Sequence, residues 1–229
     1  KNQWHFSCSF MECGADLCDA QHILSCCARL RNLKLYNFRH SLVVDAFRLG
    51  CSQFLAAQWS FHRFETPVTP TLLKKALVER VHQNPPAEIM YAMRATVRAN
   101  SKAWESERLL NYVPDFIAIN AHDPTNMKIT IVEITVPWDQ RDDFLLRAAS
   151  QKRACYVDLT KRLETLGYQV RYCVFVVGAR GVVMKDFVDE CRNLELDAGT
   201  ARKMGIRMSL AAIAGSKWIY DVWMGQAGL

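Results

Sequence analysis

Pro114-Asp115, then Glu133-Ile134-Thr135 closing an apolar run, then Lys152 and Tyr156 four residues apart, are the side chains whose types and spacing could do chemistry. Two carboxylates carried on neighbouring strands can share a divalent cation, because Mg²⁺ and Mn²⁺ take oxygen ligands and keep part of their water shell. The backbone carbonyl of Ile134 offers a third oxygen. A lysine beside them supplies positive charge where a phosphoryl group accumulates negative charge. The chemistry expected of such a set is phosphodiester hydrolysis. Each residue alone has an ordinary explanation: a Pro-Asp pair usually marks a turn, and a strand glutamate usually faces water.

The elements that must position them can be read from periodicity. Ile129, Ile131, Glu133 and Thr135 fall on one face of a strand, and Thr130, Val132, Ile134 and Val136 on the other. Val113 to Ile119 is a second β-type run, and the segment Asn120 to Met127, with Asp-Pro-Thr-Asn inside it, turns the chain back. A hairpin of this kind brings Asp115 toward Glu133. On a helix beginning near Asp142, Leu145, Ala149, Tyr156, Leu159 and Leu163 form an apolar stripe that includes Lys152. An ammonium in that stripe either snorkels outward along its stem or meets a carboxylate. With Glu133 on the preceding strand, an ion-pairing or catalytic lysine is the expectation, with Tyr156 positioning it. Trp138 and Tyr156 can stack on bases or fill the core, and core packing is expected of both.

A second constellation lies at the N-terminus. Five of the nine cysteines precede residue 28, and Cys8, Cys13, His22 and Cys27 give C-x4-C-x8-H-x4-C. Four soft or borderline ligands at short spacings suit a tetrahedral Zn²⁺, with Cys26 or Cys18 as alternates for a neighbour. The competing reading is a group of buried thiols. A disulfide framework fits poorly, since nine is odd and Cys51, Cys155, Cys173 and Cys191 are scattered. No secretory signal is visible, which points to a reducing, intracellular setting. The chain begins at Lys1, so a piece of something longer is expected.

The run Pro114-Asp115, Glu133-Ile-Thr-Val-Pro-Trp-Asp139, Lys152 to Tyr156 and Val176-Val-Gly-Ala-Arg-Gly181 resembles the restriction-like endonuclease domain at the C-terminal end of site-specific non-LTR retrotransposon polyproteins. Those domains are similar to the PD-(D/E)xK nuclease superfamily with the lysine moved off the strand. Here the slot two residues after Glu133 holds Thr135, and Lys152 is the replacement the resemblance implies. His22-Ile-Leu-Ser-Cys-Cys27 resembles the CCHC knuckle preceding that endonuclease, although the first two cysteines are usually closer together there. The resemblance implies an α/β fold with a restriction-endonuclease-like core, a mixed β-sheet flanked by helices, and a small N-terminal zinc-binding module. It implies a nuclear protein that nicks duplex DNA so that a 3′ hydroxyl primes reverse transcription, with a reverse transcriptase upstream in the same polyprotein and RNA as a further partner. Two other readings stay open: an inactive nuclease-fold module that only binds nucleic acid, which Thr135 favours, and a host nuclease acting on RNA or branched DNA.

With 229 residues, half of them hydrophobic, the chain can bury a full core and one small satellite module. No apolar stretch approaches the roughly 20 residues a membrane span needs, so no membrane partner is expected. The net charge of +6 suits a polyanion without proving one. Its placement says more. On a helix from about Ala87 to Leu110, Arg94, Arg98 and Lys102 recur at every fourth position beside an apolar side of Ile89, Met93, Val97 and Trp104. This rail can contact phosphates or merely be solvated. Glu105 or Glu107 on the same helix could be a further metal-site carboxylate. Arg180, between Gly178 and Gly181 after a strand, can touch a phosphate or sit in a plain turn.

The expected organisation is a knuckle-like module over residues 1–35, a helical connector over 36–70, and the nuclease domain over 71–229. Within it we expect helices over His40–Trp59, Leu72–His82, Val183–Asn193 and Thr200–Trp223, a linker over Phe61–Pro70, and a strand over Gln169–Val177.

Overall fold

The computed structural model describes residues 8, 10, 13–15, 18–54, 59–63, 81–82, 86–103, 114–120 and 128–226. In chain order they form α1 (Ala28–Asn32), α2 (Leu35–Phe54), β1 (Trp59–Arg63), β2 (Val81–His82), α3 (Ala87–Ala103), β3 (Phe116–Asn120), β4 (Lys128–Thr135), α4 (Asp142–Cys155), α5 (Val157–Thr165), β5 (Gln169–Val176), α6 (Phe187–Arg192) and α7 (Ala198–Trp223). A π-helical turn, His22–Cys26, precedes α1. The fold is mixed α/β: a mixed sheet in the order β2-β1-β3-β4-β5, flanked by helices.

β3 and β4 pair antiparallel, with Phe116 opposite Val132 and Ile117 opposite Ile131. β4 and β5 pair parallel, with Glu133 opposite Val174. The period-two pattern divides the interior as expected. Phe116, Ala118, Val132, Ile134, Cys173 and Phe175 face one layer, packed on α2, α6 and α7. Ile117, Ile119, Ile129 and Ile131 face the other, under Ile89 and Met93 of α3 and Leu159 and Leu163 of α5. Leu145 and Ala149 of α4 cover Val174 and Val176 on that same side. The first layer is organised around Phe47, whose ring centroid lies 5.7 Å from that of Phe116 and 4.8 Å from that of Phe175. Truncating so buried a ring costs about 3–5 kcal/mol.

Several boundaries differ from the sequence expectation, most for nonlocal reasons and two for local ones. Residues 36–54 are no connector: α2 begins at Leu35 and buries Val43, Val44, Phe47 and Cys51 in the main core. The expected linker from Phe61 begins inside β1, which pairs with β3 from Trp59↔Asn120 to Arg63↔Phe116. Residues 72–80 of the expected second helix lie outside the described residues, and Val81–His82 pairs parallel with β1. The 1–35 module does not stand apart either, because Ile23, Cys27 and Leu30 share a cluster with Ile219 and Val222 at the end of α7. The lysine-bearing helix is two helices that meet at Tyr156, whose φ of −107° and ψ of 6° leave the helical region. The helix expected from Val183 starts at Phe187, since Val183 instead bridges to Val177. α7 starts two residues before Thr200, where Asp197 accepts hydrogen bonds from the backbone N–H groups of Gly199 and Thr200.

Candidate functional site: a carboxylate pair and a cysteine–histidine cluster

Extending the β3–β4 register one step beyond Phe116↔Val132 sets Asp115 opposite Glu133. Asp115 Oδ2 accepts a hydrogen bond from the backbone N–H of Ile134 at 2.8 Å, which ties the loop carboxylate to the strand. Glu133 is buried, its side chain 4% exposed, and it is fully engaged. Lys152 Nζ donates to Oε1, and the Tyr156 hydroxyl donates to Oε2 at 3.0 Å. Lys152 reaches the carboxylate from the last turn of α4 and Tyr156 from the junction between α4 and α5, one turn further along the chain. Tyr172, on β5, donates from its hydroxyl to the Lys152 carbonyl at 2.9 Å, and its ring lies 5.4 Å from that of Tyr156. Both rings pack rather than sit open for stacking; Trp138 is likewise buried.

The electrostatics are those of a buried carboxylate beside a second carboxylate, with Lys152 and His40 as the cationic partners. Burial, then the charge of Asp115, pushes the Glu133 carboxyl up to about 7, with Lys152 and Tyr156 opposing. Burial works against the charged form of Lys152, but the Glu133 carboxylate outweighs it and raises the amine. Burial and the neighbouring Glu133 carboxylate raise the Tyr156 hydroxyl far above its ordinary range, so it stays a donor. A divalent cation between Asp115 and Glu133 would remove the repulsion that raises Glu133.

His40 belongs to this group and sequence reasoning missed it. Its Nε2 lies 3.0 Å from the Ile134 carbonyl and 3.5 Å from Asp115 Oδ2. Burial opposes its charged form, and Asp115 more than compensates, raising the imidazole. Arg39, the preceding residue, is buried and donates to the carbonyls of Leu24 at 2.9 Å and Val136 at 3.3 Å, and to Ser216 Oγ at 3.1 Å. Gly215 makes room for it, since a Cβ there would lie 2.7 Å from Arg39 Cγ. A signal existed in the sequence: stepping back by four from Phe47 through Val43 lands on Arg39, with His40 beside it. That is the same criterion, a cation on an apolar stripe, that singled out Lys152.

The second centre is compact. The ligand atoms of Cys8, Cys13, His22 and Cys27 all lie within 4.8 Å of one another. Cys8 Sγ is 3.9 Å and Cys13 Sγ 3.7 Å from Cys27 Sγ, and His22 Nε2 is 3.4 Å from Cys13 Sγ. A tetrahedron with Zn–S bonds of about 2.3 Å has edges of about 3.8 Å, so these four residues can hold a zinc ion. Cys26 is exposed and Cys18 lies beside Cys8; neither belongs to the four-atom group. The turn is braced from α2: the Tyr36 hydroxyl accepts from the Cys27 N–H at 3.0 Å and donates to the Ile23 carbonyl at 2.8 Å.

Of the expected nucleic-acid contacts, Arg94 is exposed on α3, while the side chains of Arg98 and Lys102, and all of Glu105 and Glu107, lie outside the described residues. Arg180 is committed within the fold. Its backbone N–H and Nε donate to Asp139 Oδ1 at 3.1 and 3.2 Å, and its guanidinium lies 5.3 Å from the Trp138 ring centroid. Asp139 sits where a Cβ on Gly178 would lie, 2.1 Å from Oδ2, so this loop closes only over glycine. Among the described residues no helix is long and apolar enough to cross a membrane. No protein-family model matches the chain, and no curated protein matches it in sequence.

Proposed function

We propose that this chain is a metal-dependent DNA endonuclease domain with a restriction-endonuclease-like core and a zinc-binding N-terminal turn. The reading is carried by one observation: Asp115, Glu133, Lys152 and Tyr156 converge at the ends of two adjacent strands. Asp115 and Glu133, with the carbonyl of Ile134, would hold Mg²⁺ or Mn²⁺. Such an ion, when bound, neutralises phosphoryl charge and acidifies a water molecule. Lys152 holds a proton and a positive charge beside Glu133, where they stabilise the developing negative charge on phosphate. Tyr156 keeps Glu133 oriented from below. His40 holds the Ile134 carbonyl and Asp115 in register.

The motif resemblance extends the proposal to a retrotransposon origin: an upstream reverse transcriptase, a nuclear setting, and a nicked target strand whose 3′ hydroxyl primes synthesis. Supercoiled plasmid in Mg²⁺ tests the chemistry. Wild-type chain should nick it, and Asp115→Ala and Lys152→Ala, checked for native circular dichroism, should not. A plasmid left closed by wild type would instead favour a nucleic-acid-binding module, the reading that Thr135 in the usual lysine slot supports. Cleavage compared on duplex, single-stranded, branched and RNA substrates separates the retroelement reading from a host nuclease.

A further inference from the structure

The outer face of α7 is the wrong composition for a helix side that meets water. Ile206 and Leu210 are each 60% exposed and Ile213 is 45% exposed. They follow one another at steps of four and three, and the same steps continue outward to Lys203 on one side and to Lys217 and Tyr220 on the other. Alternating steps of three and four keep side chains on a single seam of a helix, the seam that a second helix occupies when two pack together. The buried side of α7 is a different set, Met204, Met208, Ala212 and Ile219, so the seam is surplus to the core.

Beside the seam runs a groove of about 430 Å³. Val183, Met184 and Phe187 form one wall, and Ala201, Ile206 and Leu210 the other. The only charged residues lining it are Lys185 and Arg202, and it is lined by no carboxylate. Lys185, Arg202 and Lys203 are exposed, and none of the described ion pairs involves them. An apolar seam within a cationic rim selects its occupant by charge as well as by shape.

We propose that this face docks an amphipathic helix of a partner protein, with aliphatic residues at three- and four-residue steps and Asp or Glu on its flanks. A second copy of the chain fits worse. A two-fold interface sets the same patch against itself, and Lys185, Arg202 and Lys203 would meet their own counterparts. A nucleic acid would satisfy the cations and leave Ile206, Leu210 and Ile213 facing phosphate. The surface is independent of the proposed hydrolytic chemistry, since α7 packs on the sheet face of Val132 and Ile134 and Glu133 stands on the opposite face.

The test uses the full 229-residue chain and two fluorescein-labelled peptides of about 16 residues, long enough to form helix on binding. Both carry leucine at three- and four-residue steps; one is flanked by glutamate, the other by lysine. Fluorescence anisotropy should show the glutamate peptide binding at least tenfold tighter than the lysine peptide. Leu210→Ser and Ile206→Ser should each weaken it at least tenfold, and because both side chains are exposed, plasmid nicking and thermal stability should not change. Arg202→Glu combined with Lys203→Glu should invert the preference between peptides. The proposal is overturned by equal binding of both peptides, by no binding, or by binding that both serine variants leave intact. It is equally overturned if the chain sediments as a dimer that Leu210→Ser dissociates, or if duplex DNA displaces the peptide from this face.

Discussion

The two candidate metal centres are built in opposite ways. The cysteine–histidine cluster takes all four candidate ligands from residues 8–27, on one turn and the chain just before it, and its ligand atoms already lie within 4.8 Å of one another. The carboxylate centre draws Asp115 from the approach to β3, Glu133 from β4, Lys152 and Tyr156 from the α4–α5 junction and His40 from α2. A local site depends on its metal to hold a short loop in shape, here with the help of a small apolar cluster shared with the end of α7. A nonlocal site is held by the sheet and its covering helices, and its charges are arranged before any ion arrives. The difference teaches where each should fail: removing metal should loosen the first and only silence the second.

The largest effect expected is at the second centre. Glu133→Ala or Asp115→Ala should lower plasmid nicking by about 10²-fold or more, with melting temperature changed little beside that loss. If either variant instead unfolds, the contrast between a pre-arranged and a metal-held site collapses. At the first centre, Cys27→Ser or a strong chelator should reduce zinc from one ion per chain to near none. It should also raise hydrogen exchange over residues 19–36, while β3 and β4 keep their protection. Uniform loss of protection across the sheet would mean that the two centres share one cooperative unit.

Arg39 joins them, bonding to Leu24 beside the cysteine–histidine cluster and to Val136 beyond Glu133. Arg39→Ala removes three buried hydrogen bonds and should cost about 3 kcal/mol, read as a fall in the urea midpoint. A smaller change is expected from Tyr156→Phe, which deletes one hydrogen bond to Glu133 and keeps the packing. About 1 kcal/mol, or roughly fivefold in nicking rate, is the scale. Cys26→Ser should alter neither zinc content nor stability, because Cys26 is exposed and outside the four-residue group.

How much of this was readable in advance varies residue by residue. The alternation in β4 correctly set Glu133 on the face that α4 covers, and Lys152 on an apolar stripe correctly signalled a buried partner. The ends of α2 and the membership of β1 were not readable. Leu35 to Arg39 is too mixed in polarity to announce a helix start, and Trp59–Arg63 earns its strand only by pairing with β3. Arg180 could be read as a phosphate contact or as part of a plain turn, and what no local window shows is its pairing with the buried carboxylate of Asp139, 41 residues away in sequence. His40 escaped notice because a single histidine on a helix says nothing until its partners are known.

The amino-acid order alone determined the periodicities, the ligand spacing before residue 28 and the side of the strand on which Glu133 points, because near-neighbour sterics and hydrophobic repeat act within a few residues. Only the tertiary structure decided that Asp115 stands opposite Glu133, that α2 walls the core and delivers His40 and Arg39, and that one side of α7 stays uncovered. Those outcomes rest on pairings between distant segments. Such pairings are settled by which faces can be buried together once the chain has closed on itself, a balance of apolar burial against chain entropy that no local window contains.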